Sequence, residues 1–486
     1  MIQDSTPEAD PPTSGPRPDP GTPQAALLSW ILSILLIGGV VYLNQFTPKA
    51  PRSAAQGTIS APVDADLFTL YAKVVTKIAA AGYTPDKASR ESLISNVDAS
   101  AQTPVERLRA ALIAADIGGS EAGSQRLALL EGDTKLPDDV RAQIPLFRRV
   151  VSGETPTLTA EEREQLVKDH GWFGKLALTR GKPATDPERE PLVRGGWKFL
   201  ALGAAVLILA LIVVLGGLSC FVAMIVLLAT GRIRPAFDPP APGGSVYLEM
   251  IPVFAGAFLA IKIGLPALTG VLTGGGSTPQ WAILAMLLVQ WSLVVIVFWP
   301  RIRGVPWSRA RQDLGWHSGR GIGREMMAGL FGYFAALPLL LGAMAVTALY
   351  VIARQAAQKA AGETPKPPDN PIIDVISNSS TLELCILFTL TTLWAPIVEE
   401  TLFRGGLYRH LRGRVALPVA VIVSAFAFGV MHGYEFFTLL PVMTLGLTFA
   451  LLREWRGSLV GPMFVHGLHN ATIMALVLSV FSLARG

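Results

Sequence analysis

The 486-residue sequence is 51% hydrophobic and 16% charged, with 41 basic and 36 acidic residues and a formal net charge of +5. A soluble globular domain averages about 25% charged residues, so an ordinary soluble enzyme and a chain disordered over most of its length are both excluded. The apolar excess sits in uncharged blocks long enough to cross a bilayer, which marks an integral membrane protein. The basic excess falls in the loops between those blocks, so no nucleic-acid partner is expected. The two cysteines, Cys220 and Cys385, lie inside apolar blocks and leave no disulfide framework or cysteine metal cluster to build.

In chain order, residues 1–24 are rich in Pro, Asp and Gly and lack the basic start of a secretory signal, so a disordered tail is expected. Ala25–Leu43 is uncharged and reads as a retained N-terminal membrane anchor. Charges return over 44–196, with apolar residues at helical spacing in 65–82, 104–116 and 160–169. The string Thr159-Ala-Glu-Glu reads as a helix start with a capping side chain and an acidic first turn. A small extracytoplasmic helical domain is expected there. No motif in it carries recognisable chemistry, and a protein partner is the role left open for it.

From Phe199 the chain is mostly membrane. Phe199–Gly231 runs 33 residues without a charge, as one tilted helix or one broken near Gly216-Gly217. Further spans fall at 246–272, 281–299, 326–353, 381–408, 415–435, 436–452 and 457–483, about nine with the anchor. The expected fold is therefore an all-α polytopic membrane helix bundle with a small helical extramembrane domain after the first anchor. Residues 197–324 would be accessory spans with a basic cytoplasmic loop, and 325–486 the part that carries chemistry. Six arginines against one aspartate in 301–324, three arginines in 409–414, and Arg232, Arg234, Arg453 and Arg456 place those loops in the cytoplasm. The same threading puts 44–196 and 354–380 on the far side, although Lys49 and Arg52 flank the anchor on its outer end.

Ionisable residues inside a span cost about 2.5–3.5 kcal/mol on insertion scales and are functional candidates by default. The last four spans contain Glu399, Glu400, Arg404, His432, His466 and His469, together with the polar Asn470. Glu400 and Arg404 are an i,i+4 pair, whereas Glu399 diverges from Arg404 by about 140° on an α-helix. Glu399 is left without an obvious cation, which suits a general base. Counted from a turn near 415–416, Glu399 and His432 each lie about 24 Å along their helices, so an antiparallel hairpin brings them level. His466 and Asn470 share a face one turn apart and are two neutral donors for an oxyanion. His469 points partly away and is left out of the site.

The ordered strings Glu-Glu-Thr-Leu-Phe-Arg-Gly (399–405), Phe-Gly-Val-Met-His-Gly (428–433) and His-Gly-Leu-His-Asn-Ala (466–471) resemble the CAAX-processing and bacteriocin-processing (CPBP, Abi or type II CAAX endopeptidase) family of intramembrane proteases. The resemblance covers roughly 325–483. It implies Glu399 as the base that activates water, His432 as a residue holding that water, and His466 and Asn470 as the oxyanion hole. It further implies Glu400 and Arg404 as a structural pair and Phe428 as a packing residue. The family is often labelled metalloproteases. The zinc-protease string His-Glu-x-x-His is absent, and the preferred metal-free glutamate mechanism requires no cofactor. The Zn2+ alternative would use Glu399, His432 and His466 as ligands.

The expected activity is endopeptidase cleavage of a membrane-embedded or lipid-anchored protein or peptide, by a multi-pass protein of the plasma membrane in contact with the lipid bilayer. Two other readings compete: a non-catalytic scaffold or immunity-type protein of the same fold, and a transporter using Lys262, the one lysine deep in a span, for which the sequence names no partner.

Overall fold

The computed structural model describes residues 16–46, 67–82, 86–134, 136–272, 280–361, 376 and 379–485. Among them there are helices and no strands, with a single isolated bridge between Pro18 and Ala241. Eight helices are long and apolar enough to cross a membrane, and the chain is an integral, multi-pass membrane protein. The ninth expected span, 415–435, is a shorter apolar helix, Leu417–Met431. The proline at position 418 and the cap at His432 confine it to 15 residues, about 22 Å at 1.5 Å per residue and short of the ~30 Å hydrocarbon core. Gly196–Ala229 is one unbroken helix of 34 residues. Gly217 does not break it, because that position serves close packing: a Cβ there would lie 3.1 Å from the Phe334 carbonyl oxygen.

The chain divides into two compact units. One takes in residues 48–213, 349–384 and 472–486 and contains the helical domain. Its core is built from Phe68, Leu108, Leu112, Phe147, Val150 and Phe173, all buried. Each such side chain contributes about 1.5–3 kcal/mol on burial. Pro104–Gly118 runs through the middle of this core and starts with a reciprocal cap between Thr103 and Glu106. Ala160–His170 starts the same way, with Thr159 and Glu162 satisfying each other's backbone donors. A buried Arg189–Asp116 pair at 2.9 Å ties the end of the domain to its central helix. His170, also buried, accepts from Arg109 Nε at 3.3 Å and lies 2.6 Å from the Gln143 amide oxygen.

The other unit takes in 1–47, 214–348 and 385–471. Within it the anchor helix Pro23–Phe46 packs along Met250–Leu272, and Trp30 donates to His410 at 3.3 Å. Of the expected tail, residues 1–15 lie outside the described residues. The segment from Pro16 to Thr22 is docked, with the Asp19 carboxylate 2.9 Å from Arg409. The arginine-rich ends of the spans are cross-linked in the same way. Arg409 also meets Asp313 at 3.1 Å, Arg412 meets Glu454 at 2.9 Å, and Arg456 grips Glu325 through two contacts of 2.8 Å. Charge-assisted forks of this kind fix orientation as well as adding energy, so these ends are a rigid frame. Lys262 has an interaction partner in the structure.

Candidate active site

The span that carries the glutamates is one continuous helix, Thr381–Arg412, interrupted by two wider π-helical stretches at Leu390–Trp394 and Thr401–Leu407. The first follows from Pro396. A proline has no N–H to return to the preceding turn, and its ring crowds the carbonyl four residues back. The Ala395 N–H reaches back five residues to Leu390, which leaves the Thr391 carbonyl without its usual helical donor. Asn470 supplies one, its Nδ2 donating to Thr391 O at 2.9 Å. The second stretch contains Gly405 and Gly406, where close neighbours exclude a side chain. A Cβ on Gly405 would lie 3.1 Å from the Leu314 carbonyl oxygen, and one on Gly406 2.7 Å from that of Tyr247. Single π turns inside α-helices concentrate at functional sites, and here they bracket Ala395–Glu400.

The two adjacent glutamates have different surroundings. Glu400 is fully buried, accepts from Arg404 Nη1 at 3.1 Å, and lies 2.9 Å from His466 Nδ1. Arg404 is equally buried. Its Nη2 donates to Gly446 O at 2.9 Å, and its guanidinium sits 4.4 Å from the Phe428 ring centre and 5.3 Å from that of Phe449. The Glu399 side chain is 18% exposed, and its Oε2 has no hydrogen-bond partner among the described residues. Its nearest ionisable contact is His466 Nε2, 3.9 Å away. The His466 imidazole therefore stands between both carboxylates, stacked on Phe449 at 5.0 Å.

His432 turns one ring nitrogen back onto its own helix. Its Nδ1 donates to the Phe428 carbonyl of its own turn at 2.8 Å, and no hydrogen bond or ion pair joins it to Glu399. The equal count of residues from the turn assumed ideal α-helices on both arms. The two π stretches change the rise and rotation of the first arm, and it is His466 that comes beside Glu399. His432 stays in the same cluster through Phe428, whose ring centre is 4.7 Å from His432 and 5.9 Å from His466. With Nδ1 committed as a donor, neutral His432 presents Nε2 as an acceptor. His469 hydrogen-bonds Tyr333 at 2.8 Å and has no contact with the glutamates.

This is the segment that the family comparison matches: residues 381–472 fit the family model described as type II CAAX prenyl endopeptidase Rce1-like. The similarity to this family covers that segment. No curated protein and no solved structure matches the chain. The Rce1-like segment begins at the head of the glutamate helix and ends just after Asn470, so Glu399, Glu400, Arg404, Phe428, His432, His466, His469 and Asn470 all fall inside it. Phe449 and Thr391 also belong to its packing and were not singled out. Pro396 was the signal for Thr391, since a proline in mid-helix frees a carbonyl one turn back; a lone Phe in an apolar span gives no such signal. Among the described residues, no three His, Cys, Asp or Glu side chains come together as a set that could hold a metal ion. Glu399, His432 and His466 as placed do not form a ligand set for Zn2+, and no step below runs through a metal.

Proposed function

We propose that this protein is an intramembrane endopeptidase in which Glu399 activates the hydrolytic water. The observation that carries the reading is the contrast between neighbours: Glu400 is held through Oε1 by Arg404 and His466, leaving only its Oε2 unpartnered, while the Glu399 carboxylate is in no hydrogen bond among the described residues and approaches only His466, at 3.9 Å. A water within ~2.8 Å of both Glu399 Oε2 and His466 Nε2 would bridge their 3.9 Å separation. Glu399 takes a proton from that water as its oxygen attacks the scissile carbonyl carbon. The resulting tetrahedral intermediate collapses with cleavage of the C–N bond, and the same proton passes to the departing amine.

His466 is assigned here to the immediate partnership with Glu399. Carrying a proton, it makes the Glu399–Glu400–Arg404–His466 cluster electrically neutral, and its Nε2–H becomes a donor for the oxyanion. One N–H of the Asn470 carboxamide is used by Thr391; the other remains for the oxyanion. His432, with Nε2 as an acceptor, helps hold the water. An apolar cavity of about 690 Å³ runs beside the His432 turn, lined by Trp30, Ile37, Phe426, Val430 and Tyr434 among others, and suits the apolar part of a lipid-anchored or membrane-embedded substrate. A plasma-membrane location belongs to the same proposal.

The test is cleavage of a prenylated peptide by the full-length protein in proteoliposomes. Glu399→Gln should lower the rate by about 10²–10⁴, and His432→Ala should lower it as well. Activity should survive chelation. Unchanged turnover in Glu399→Gln refutes the assignment of the base, and loss on chelation with recovery on adding zinc refutes the metal-free route.

A further inference from the structure

Away from the glutamates, the same unit holds a polar cavity of about 560 Å³ at the arginine-rich ends of its spans. Arg17, Arg309, Arg409, Arg453 and Arg456 line it, together with Asp238, Asp313 and His317. Their pairing is uneven. Arg409 is taken up by Asp19 and Asp313, and Arg456 by Glu325. Arg453 is 1% exposed and has only neutral partners. Its Nη1 donates to the Gly457 carbonyl, its Nη2 to the Asp313 carbonyl at 3.0 Å, and its guanidinium lies 4.9 Å from the Phe237 ring centre. Its Nε has no partner, and no carboxylate pairs with it among the described residues. A buried cation is costly unless a counter-charge offsets its lost hydration. Two further arginines at the mouth are open to solvent. Arg17 is exposed with no side-chain partner among the described residues, and Arg309 is 45% exposed, with Nε 3.4 Å from Asp313 and Nη2 donating to the Pro18 carbonyl at 3.3 Å.

We propose that this cavity binds a phosphate group, held by Arg17 and Arg309 at the mouth over the buried charge of Arg453. Two features select phosphate over a single carboxylate. The arginines arrive from four separate segments: the docked residues before the anchor, the Trp307–Leu314 helix, and the ends of Thr381–Arg412 and Phe436–Arg456. A tetrahedral anion offers acceptor oxygens in several directions, whereas a carboxylate is satisfied by one planar fork. The cavity also lies at span ends, the depth at which lipid headgroups meet a protein, and basic pockets between spans take anionic headgroups. The phosphate has two sources, an anionic lipid headgroup or the free ion. The site is independent of the chemistry proposed for Glu399.

The experiment uses full-length protein in a neutral detergent. It is presented with phosphatidylglycerol or phosphate-free diacylglycerol in mixed micelles, read by native mass spectrometry. Separately it is titrated with inorganic phosphate against chloride at matched ionic strength, read by calorimetry. Phosphatidylglycerol should be retained at least tenfold better than diacylglycerol, or inorganic phosphate should saturate the protein where chloride does not. The first result assigns the lipid source and the second the free ion. Arg17→Gln and Arg309→Gln should each weaken binding about fivefold, and the double variant on the order of 25-fold. Because both side chains are exposed, the unliganded melting point should not move. Binding that is unchanged in the double variant, absence of preference in both arms, or uptake of an acidic peptide with no response to either phosphate source overturns the proposal.

Discussion

Replacing each of the neighbouring glutamates by glutamine should produce opposite results. Glu400→Gln removes the charge that accepts from Arg404 at 3.1 Å and lies 2.9 Å from His466, and it leaves a guanidinium with zero exposure facing three aromatic rings. Breaking a buried ion pair from one side costs about 3–5 kcal/mol, because the remaining charge stays desolvated. For a chain of this size that corresponds to a fall in melting midpoint of about 3–5 °C. Glu399→Gln removes no ion pair with a cationic side chain other than the 3.9 Å approach to His466, and its midpoint should stay within about 1 °C of the wild type. The assay is thermal unfolding of purified protein in one detergent, at one scan rate, with cleavage measured on the same samples. Equal melting points for the two variants, or a less stable Glu399→Gln, would refute the separation of a structural carboxylate from a chemical one.

Three further perturbations follow from particular contacts. Asn470→Ala removes the donor to the Thr391 carbonyl and should cost on the order of 1 kcal/mol, with a clear loss of cleavage, read by melting and turnover on one preparation. Gly406→Ala puts a methyl 2.7 Å from the Tyr247 carbonyl oxygen and should destabilise the protein by about 1–3 kcal/mol; an unchanged midpoint would contradict the close approach. In the helical domain, burial pushes His170 down to about 3, with the neighbouring Arg109 guanidinium acting in the same direction. A depressed folded-state value means that its contribution is complete above its unfolded value of ~6.5 and is lost as the pH falls toward 3. The domain should therefore lose about 2–3 kcal/mol at pH 4.5 relative to neutrality. Hydrogen exchange over Pro104–Gly118 and Ala160–His170 measures this loss, and His170→Gln should flatten it.

The sequence carried much of this architecture because the bilayer imposes a length and a polarity on every span. Uncharged blocks located the spans, and the Thr159 string located a capped helix in the helical domain. Four-residue spacing also paired Arg404 with Glu400, and that contact persists even though the helix around it is π-wound. Depth counting is blind to the π turns: equal numbers of residues mean equal heights only on helices of equal rise, and the first arm carries two π-helical stretches. His466, read as one of two free donors, is instead set between two carboxylates, and Asn470 is partly committed to a freed carbonyl. The arginine frame was hidden for another reason. Asp19 lies 390 positions from Arg409, in a stretch whose composition reads as disorder, and local pattern carries no information about a partner that distant.

The most direct test of the central claim compares the new peptide termini in membranes of cells carrying wild-type protein with those in cells carrying Glu399→Gln at equal abundance. If Glu399 activates the attacking water, a defined set of termini from membrane-anchored proteins should be present in the first sample and absent from the second. Identical termini in both would mean that this carboxylate does not drive peptide-bond hydrolysis.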